Sequence, residues 1–285
     1  MEQQPRVVIP SKGLRWSGQT DRGRVRTNNE DAFLGLRFDA QGAEHLGKTG
    51  EALLGTTDFV FAVSDGMGGA RAGEFASRIT VDKITRLLPR SFRQSAIGLE
   101  AGFTEVLEEL FDQIHRALLF LGRSDEECHG MGSTLSLCWF TPTWMYYAHI
   151  GDTRIYYLPA KREPGTPALR QLSHDDTHVG WLLRNGEINE YQARTHPRRN
   201  VLQKALGAGN QFVAPQVGAV AYEPGDRFLL CTDGLIDGLH DDRLTEIILH
   251  PPQGGEIPNP AYRLVEAAVE NSGRDNTTAV VVEMV

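Results

Sequence analysis

The sequence predicts an α+β fold in which antiparallel strands stack into a sandwich and helices cover it. Helix-like stretches come in pairs between groups of strand-like runs, not in one-for-one alternation, which argues against a doubly wound parallel sheet. The strand-like runs are short, apolar and bounded by turn residues. The chain has 285 residues, 40% of them hydrophobic and 23% charged, a globular composition with ample length to bury a core.

Residues 1–12 read as a loose tail and 13–285 as one domain. FDAQGAEHLGKTGEALLGTT (38–57) reads as a glycine-rich insertion with no assigned role. DFVFAVSD (58–65) is a continuous apolar run, short enough for a core strand. GEFASRITVDKITRLLP (73–89) changes to helical spacing: Phe75, Ile79, Ile84, Leu87 and Leu88 share a side, and Pro89 is expected to stop the helix. A second amphipathic helix spans 103–122, closed by Gly122. Strands follow at 133–140, 144–152 and 154–159, the first two joined by a TPT hairpin turn. Residues 178–200 are charged and helical, ending at Pro197. GDRFLLCTDGL (225–235) is a turn and a strand that runs into a carboxylate. A helix at 261–273, capped by Gly273, and a last strand at 277–285 complete the pattern.

Charge and cysteine usage exclude several classes. The formal net charge is −8, a poor basis for nucleic-acid binding or attraction to anionic membranes. Cys128, Cys138 and Cys231 are odd in number and widely spaced, which disfavours a disulfide framework or a zinc site. The opening MEQQPRVVIP lacks the pattern of a signal peptide, and no apolar run reaches the roughly 18 residues needed to span a bilayer. A cytoplasmic protein is expected.

Four aspartates stand at comparable places. Asp65 follows FVFAVS, Asp152 follows YYAHIG, Asp233 follows FLLCT, and Asp275 precedes the last strand. In a sandwich such strand ends can converge at one edge. Converging carboxylates repel unless a cation sits among them, and hard oxygen donors suit magnesium or manganese. Gly66 and Gly234, directly after Asp65 and Asp233, would let backbone approach an ion. Asp-Gly is also a common turn dipeptide. Four such junctions in one chain favour the metal reading.

The motifs RVRTNNEDAF (24–33), VSDGMGGARAGEFAS (63–77), GMGSTL (130–135), AHIGDTRIYYL (148–158), LLCTDGL (229–235) and GRDNTTAVVV (273–282) occur in this order. Together they resemble the motif set of the metal-dependent type 2C serine/threonine protein phosphatases, bacterial members in particular. The likeness covers about residues 14–285. It implies a four-layer α-β-β-α fold: a central antiparallel β-sandwich flanked by pairs of α-helices, with two manganese or magnesium ions at one end. Asp65 would bridge both ions and Gly66 would offer its carbonyl oxygen. Asp233 and Asp275 would complete the first site. Glu30 and Asp31 would act on the second through waters. Asp152 with Asp233 would hold a third, weaker ion. The water between the ions would become hydroxide near neutral pH and attack phosphorus in line, without a covalent phosphoenzyme. Arg26 matches the phosphate-binding arginine of the family, with Gly23 in the same turn. Its planar fork can hold two phosphoryl oxygens.

Other positions depart from the family or take a plainer reading. Met67 stands where many eukaryotic relatives have a histidine proposed as general acid, so this position cannot supply a proton. SHDDTH (173–178) looks like a metal cluster through His174 and His178, but an Asp or Ser helix cap is the better reading. Residues of about 176–210 match a flap beside the site, and Asn200 replaces a serine that in some relatives lies close to the third ion. His149 reads as a buried, hydrogen-bonded histidine.

The expected function is hydrolysis of phosphoserine and phosphothreonine on proteins, in bacterial signal transduction, opposing a cognate Ser/Thr kinase. The expected state is a cytoplasmic monomer without nucleic-acid or membrane partners. Two alternatives stand beside it: a non-catalytic member of the fold that binds a phosphoprotein or regulatory partner, and a metal phosphohydrolase for small phosphoesters.

Overall fold

The computed structural model describes residues 12–39, 42–55, 57–96, 102–162, 165–209, 213–252 and 259–285. All but the last residue of the expected N-terminal tail lies outside them. The strands are β1 (Gly13–Asp21), β2 (Asp31–Phe38), β3 (Ala43–His45), β4 (Thr49–Leu53), β5 (Asp58–Met67), β6 (Gly132–Ser133), β7 (Leu135–Phe140), β8 (Trp144–Ile150), β9 (Arg154–Leu158), β10 (Arg170–Gln171), β11 (Gln216–Ala221), β12 (Arg227–Cys231) and β13 (Thr277–Met284). The helices are α1 (Ala70–Ala96), α2 (Phe103–Ser124), α3 (His178–Arg184), α4 (Glu190–Thr195), α5 (Asp233–Gly238), α6 (Asp241–Leu249) and α7 (Pro260–Asn271).

Two sheets form, with neighbouring strands antiparallel. One has the order β10-β9-β12-β13-β1-β4 and the other β11-β8-β7-β5-β2-β3, with β6 paired to the end of β5. The apolar run of β5 is continuous because both of its faces are buried. Phe59, Phe61 and Val63 enter the core between the sheets with Trp16, Phe140, Phe228 and Val282. Val60 and Ala62 face the other way, into a second core with Ile84 of α1 and Leu107 and Phe111 of α2. β13 repeats this period of two: Val280 and Val282 point between the sheets, whereas Ala279 and Val281 pack with Leu235, Leu244 and Leu264 of α5, α6 and α7. Three cores in this arrangement make four layers, helix, sheet, sheet and helix, as the sequence leads one to expect.

Several elements differ from the sequence reading. α1 runs through Pro89 to Ala96 instead of stopping. A proline removes one backbone donor, a local loss that the packing of α1 on α2 and β5 offsets. Phe75, expected on the buried side of that helix, is exposed. Gly122 lies within α2, whose C-cap is Asp125. The expected helix at 178–200 is two short helices, broken at Asn185 and Gly186, where Gly186 takes a φ of +71°. The cap at the start of α3 is Thr177, not an Asp or Ser; its hydroxyl accepts from Gly180 N–H. The described residues of the glycine-rich 38–57 stretch pass from one sheet to the other: β3 pairs with β2 and β4 with β1. Trp16 Nε1 donates to Gly47 O there at 2.9 Å, closing one side of the sandwich.

Candidate active site

The strand ends bring the predicted carboxylates to one end of the sandwich. Asp65 lies within β5, not past its end, directly opposite Asp31 of β2. Its backbone is held from the other side by the GMGSTL motif. Asp65 N–H donates to Thr134 Oγ1 at 2.9 Å, and its carbonyl accepts from Ser133 Oγ at 2.9 Å and Thr134 N–H at 2.8 Å. Asp152 follows β8 through a tight turn in which Gly151 takes a φ of +109°. His149, wholly buried, donates from Nε2 to Gly151 O at 3.0 Å and accepts at Nδ1 from Ser136 Oγ at 2.8 Å. Asp233 opens α5, and Asp275 stands two residues before β13. Arg26, Glu30, Asp65, Gly66, Met67, Asp152, Asp233 and Asp275 all line one cavity of about 360 Å³, together with Asn200 and Leu202. A smaller cavity of about 150 Å³ shares Asp152, Asn200 and Asp233 and continues under α3 and α4.

The two glycines after the aspartates have a reason in packing. A Cβ at Gly66 would sit 1.9 Å from Gly73 O, and one at Gly234 would sit 2.0 Å from Asn276 O. Each glycine lets a second backbone segment press against the carboxylate-bearing one, which draws Asp65 toward α1 and Asp233 toward Asp275. No ion is needed to explain either glycine.

The electrostatics are strained. Burial, then repulsion from Asp31, Asp233, Asp152 and Asp275, lifts the Asp65 carboxyl well above the ordinary range. Burial and the charges of Asp152 and Asp275 do the same to Asp233. Asp152 is pushed up to about 7 by burial and by Asp175. Asp31 is pushed up to about 7 by burial, although hydrogen bonds from Thr278 and Thr232 act in the opposite sense. Burial also raises Glu30. Arg26 is one compensating cation: its Nη2 donates to Asp275 Oδ2 at 2.7 Å, and Glu30 and Asp65 also attract it; Arg199 is another, attracted by Asp233 and Asp275.

Sequence reasoning missed Asn276. Its Oδ1 accepts from Glu30 N–H at 2.8 Å, while its Nδ2 donates to Arg22 O and Asn28 O at 2.9 Å each. This one buried amide ties the Arg26 loop to the Asp275 loop. The signal was a polar residue directly before an apolar terminal strand. The histidines of SHDDTH do not join the site: His174 is exposed, and His178 stacks on Trp181.

Among the described residues no three His, Cys, Asp or Glu side chains stand in a finished coordination shell. The donor chemistry nevertheless fits a hard divalent cation. The candidate side chains are all carboxylates, their mutual repulsion is what a cation would relieve, and Asp31 Oδ1 is buried without a hydrogen-bond partner.

A family model described as protein phosphatase 2C matches residues 52–251. The serine/threonine phosphatase stp of Listeria monocytogenes is 31% identical over 266 residues, covering 93% of this chain and 94% of that protein. The serine/threonine protein phosphatase PstP of Mycobacterium tuberculosis is 31% identical over 274 residues, covering 95% of this chain. The chain spans 45% of that relative's length. The crystal structure of the PstP catalytic domain in complex with two manganese ions superposes with a TM-score of 0.71 at 30% identity, covering 96% of this chain and all of that one.

Proposed function

We infer what this chain does from one premise: it belongs to the protein phosphatase 2C family. It is a phosphoprotein phosphatase that removes phosphate from serine and threonine with the help of manganese or magnesium. The observation that carries this reading is the convergence of Asp65, Asp152, Asp233, Asp275 and Glu30 on one cavity with Arg26 at its wall. A module that only binds a partner has no use for repelling carboxylates in that density.

Asp65, Gly66, Asp233 and Asp275 would hold the ions, with Glu30 and Asp31 acting on them from behind and Asp152 serving a further ion. When bound, the ions neutralise the carboxylates and make a nearby water acidic enough to act as nucleophile at neutral pH. Arg26 offers its guanidinium fork to two phosphoryl oxygens and orients the phosphate over the carboxylates. Met67 lines the same cavity without a titratable group, so the departing alkoxide takes its proton from elsewhere. The segment of about 176–210 acts as a flap whose Asn200 and Leu202 line the same cavity.

In the cell this activity opposes a Ser/Thr protein kinase in bacterial signalling, in the cytoplasm and as a monomer. Among the described residues no helix is long and apolar enough to cross a membrane. The test is hydrolysis of a phosphothreonine peptide against a panel of small phosphoesters. Selective turnover of the peptide with manganese supports the reading. Preference for a small ester, or binding of the peptide without turnover, overturns it.

A further inference from the structure

Asp31 is almost fully buried, and its two carboxylate oxygens are treated unequally. Oδ2 accepts from Thr232 Oγ1 at 2.8 Å and from Thr278 Oγ1 at 2.7 Å. Oδ1 has no hydrogen-bond partner. A carboxylate left to itself can turn about its last bond and exchange the two oxygens. Two donors fixed on one oxygen remove that freedom.

The donors are themselves tied into a wider network. A hydroxyl has a single proton and two acceptor lone pairs, so Thr232 and Thr278 can each donate to Asp31 and still accept from other groups. Thr278 N–H donates to Thr232 Oγ1 at 3.0 Å. Thr278 Oγ1 also lies 2.7 Å from Thr20 Oγ1, so its hydroxyl is within donating reach of both Thr20 and Asp31, and the carboxylate is the stronger acceptor. Asn29 Nδ2 donates in turn to Thr20 Oγ1 at 2.8 Å. Asp31 Oδ2 is thus met by Thr278 and Thr232, with Thr20 and Asn29 next to Thr278 in the same network.

Thr232 adds an independent sign. It occupies the N-cap of α5, where a threonine hydroxyl ordinarily accepts from the first turn of the helix. Here it makes no cap hydrogen bond. The side chain gives up that local stabilisation and turns to the aspartate of the other sheet.

We propose that Thr232 and Thr278 are positioning residues that fix the Asp31 carboxylate with Oδ1 reserved for the divalent-ion site. The proposal rests on the metal-dependent reading above. Partners that orient a metal site from behind its ligands are typically worth about 10–100-fold in affinity.

The test is calorimetric titration of manganese into chelator-stripped protein, with circular dichroism to establish that each variant is folded. Thr278→Val and Thr232→Val keep the shape and remove the hydroxyl. Thr278→Ser and Thr232→Ser keep the hydroxyl and remove the methyl. The expected result is manganese affinity about 10–100-fold weaker in the valine variants, with the serine variants close to wild type. Phosphopeptide turnover by the valine variants should return in excess manganese. Wild-type affinity in the valine variants, or equal losses in serine and valine, would assign the threonines to packing and overturn the proposal. If one valine variant does not fold, the other carries the test, and unchanged affinity there counts equally against the proposal. Asp31→Asn separates the two levels. If it leaves manganese binding unchanged, the metal role of Asp31 fails; if it weakens binding and the threonine variants do not, only the positioning role fails.

Discussion

Arg26 is half exposed and bound to Asp275 at 2.7 Å, yet its proposed work is to hold a phosphoryl group. A dianion with three oxygens competes well for a guanidinium fork, and a charge-assisted hydrogen bond is worth about 1.5–3 kcal/mol. Arg26→Ala is therefore expected to lower kcat/KM for phosphopeptide about 10²-fold while bound manganese is retained. Arg26→Lys should recover part of the loss, because a point charge cannot reproduce the paired geometry. Wild-type kcat/KM in both variants would return Arg26 to the solvated surface. Asp58 is a second residue with a measurable consequence, away from the site. It is buried, its Oδ2 accepts from Trp139 Nε1 at 2.9 Å, and burial pushes its carboxyl up to about 6. A folded-state value above the unfolded one means that the stability it contributes is complete below about pH 4 and is lost as pH rises through about 6. At pH 8 the ionised group costs on the order of 1–3 kcal/mol. Asp58→Asn keeps an acceptor for the indole without the charge. Its melting temperature should exceed that of wild type at pH 8, and the difference should shrink toward pH 4.5. A difference that does not change with pH would refute the assignment.

The helix α5 shows how an element carries a side chain to the site. It begins at Asp233 and is seated by Gly234, whose missing Cβ admits the Asn276 carbonyl. Gly234→Ala is expected to push the helix away from the Asp275–Asn276 segment. Both the melting temperature and manganese affinity should fall together, because one displacement affects the packing and the relation of Asp233 to Asp275. Loss of stability with manganese affinity intact would uncouple them. Elements with one dominant signal were legible in the sequence. α2 has an apolar face of helical period, and β5 and β13 are apolar throughout because they are buried on both faces. β1 and β2 were not read, since glycines, arginines and aspartate interrupt GLRWSGQTD and DAFLGLRF and neither alternates cleanly. Pro89 signals a helix end only locally, and in α1 tertiary packing prevails over that signal.

At the scale of the molecule, helix pairs between strand groups pointed to a sandwich covered by helices, and aspartates at strand ends pointed to carboxylates that meet at one cavity. The environment of each carboxylate did not follow. Thr232 reads locally as a helix cap, and Asn276 as a polar residue before a strand; only the stacking of the two sheets brings Thr232 and Thr278 to Asp31, and Asn276 to Glu30. The same stacking creates the central property of this fold's end, a set of buried carboxylates that repel one another. The measurement that tests this account most directly is phosphothreonine-peptide turnover during titration of manganese into chelator-stripped protein, with bound ions counted in the same samples, for wild type and Asp65→Asn. Turnover in wild type should start from zero and rise as the ions bind, and Asp65→Asn should remain folded but inactive throughout. Full turnover in stripped protein, or an Asp65→Asn variant as active as wild type, would contradict it.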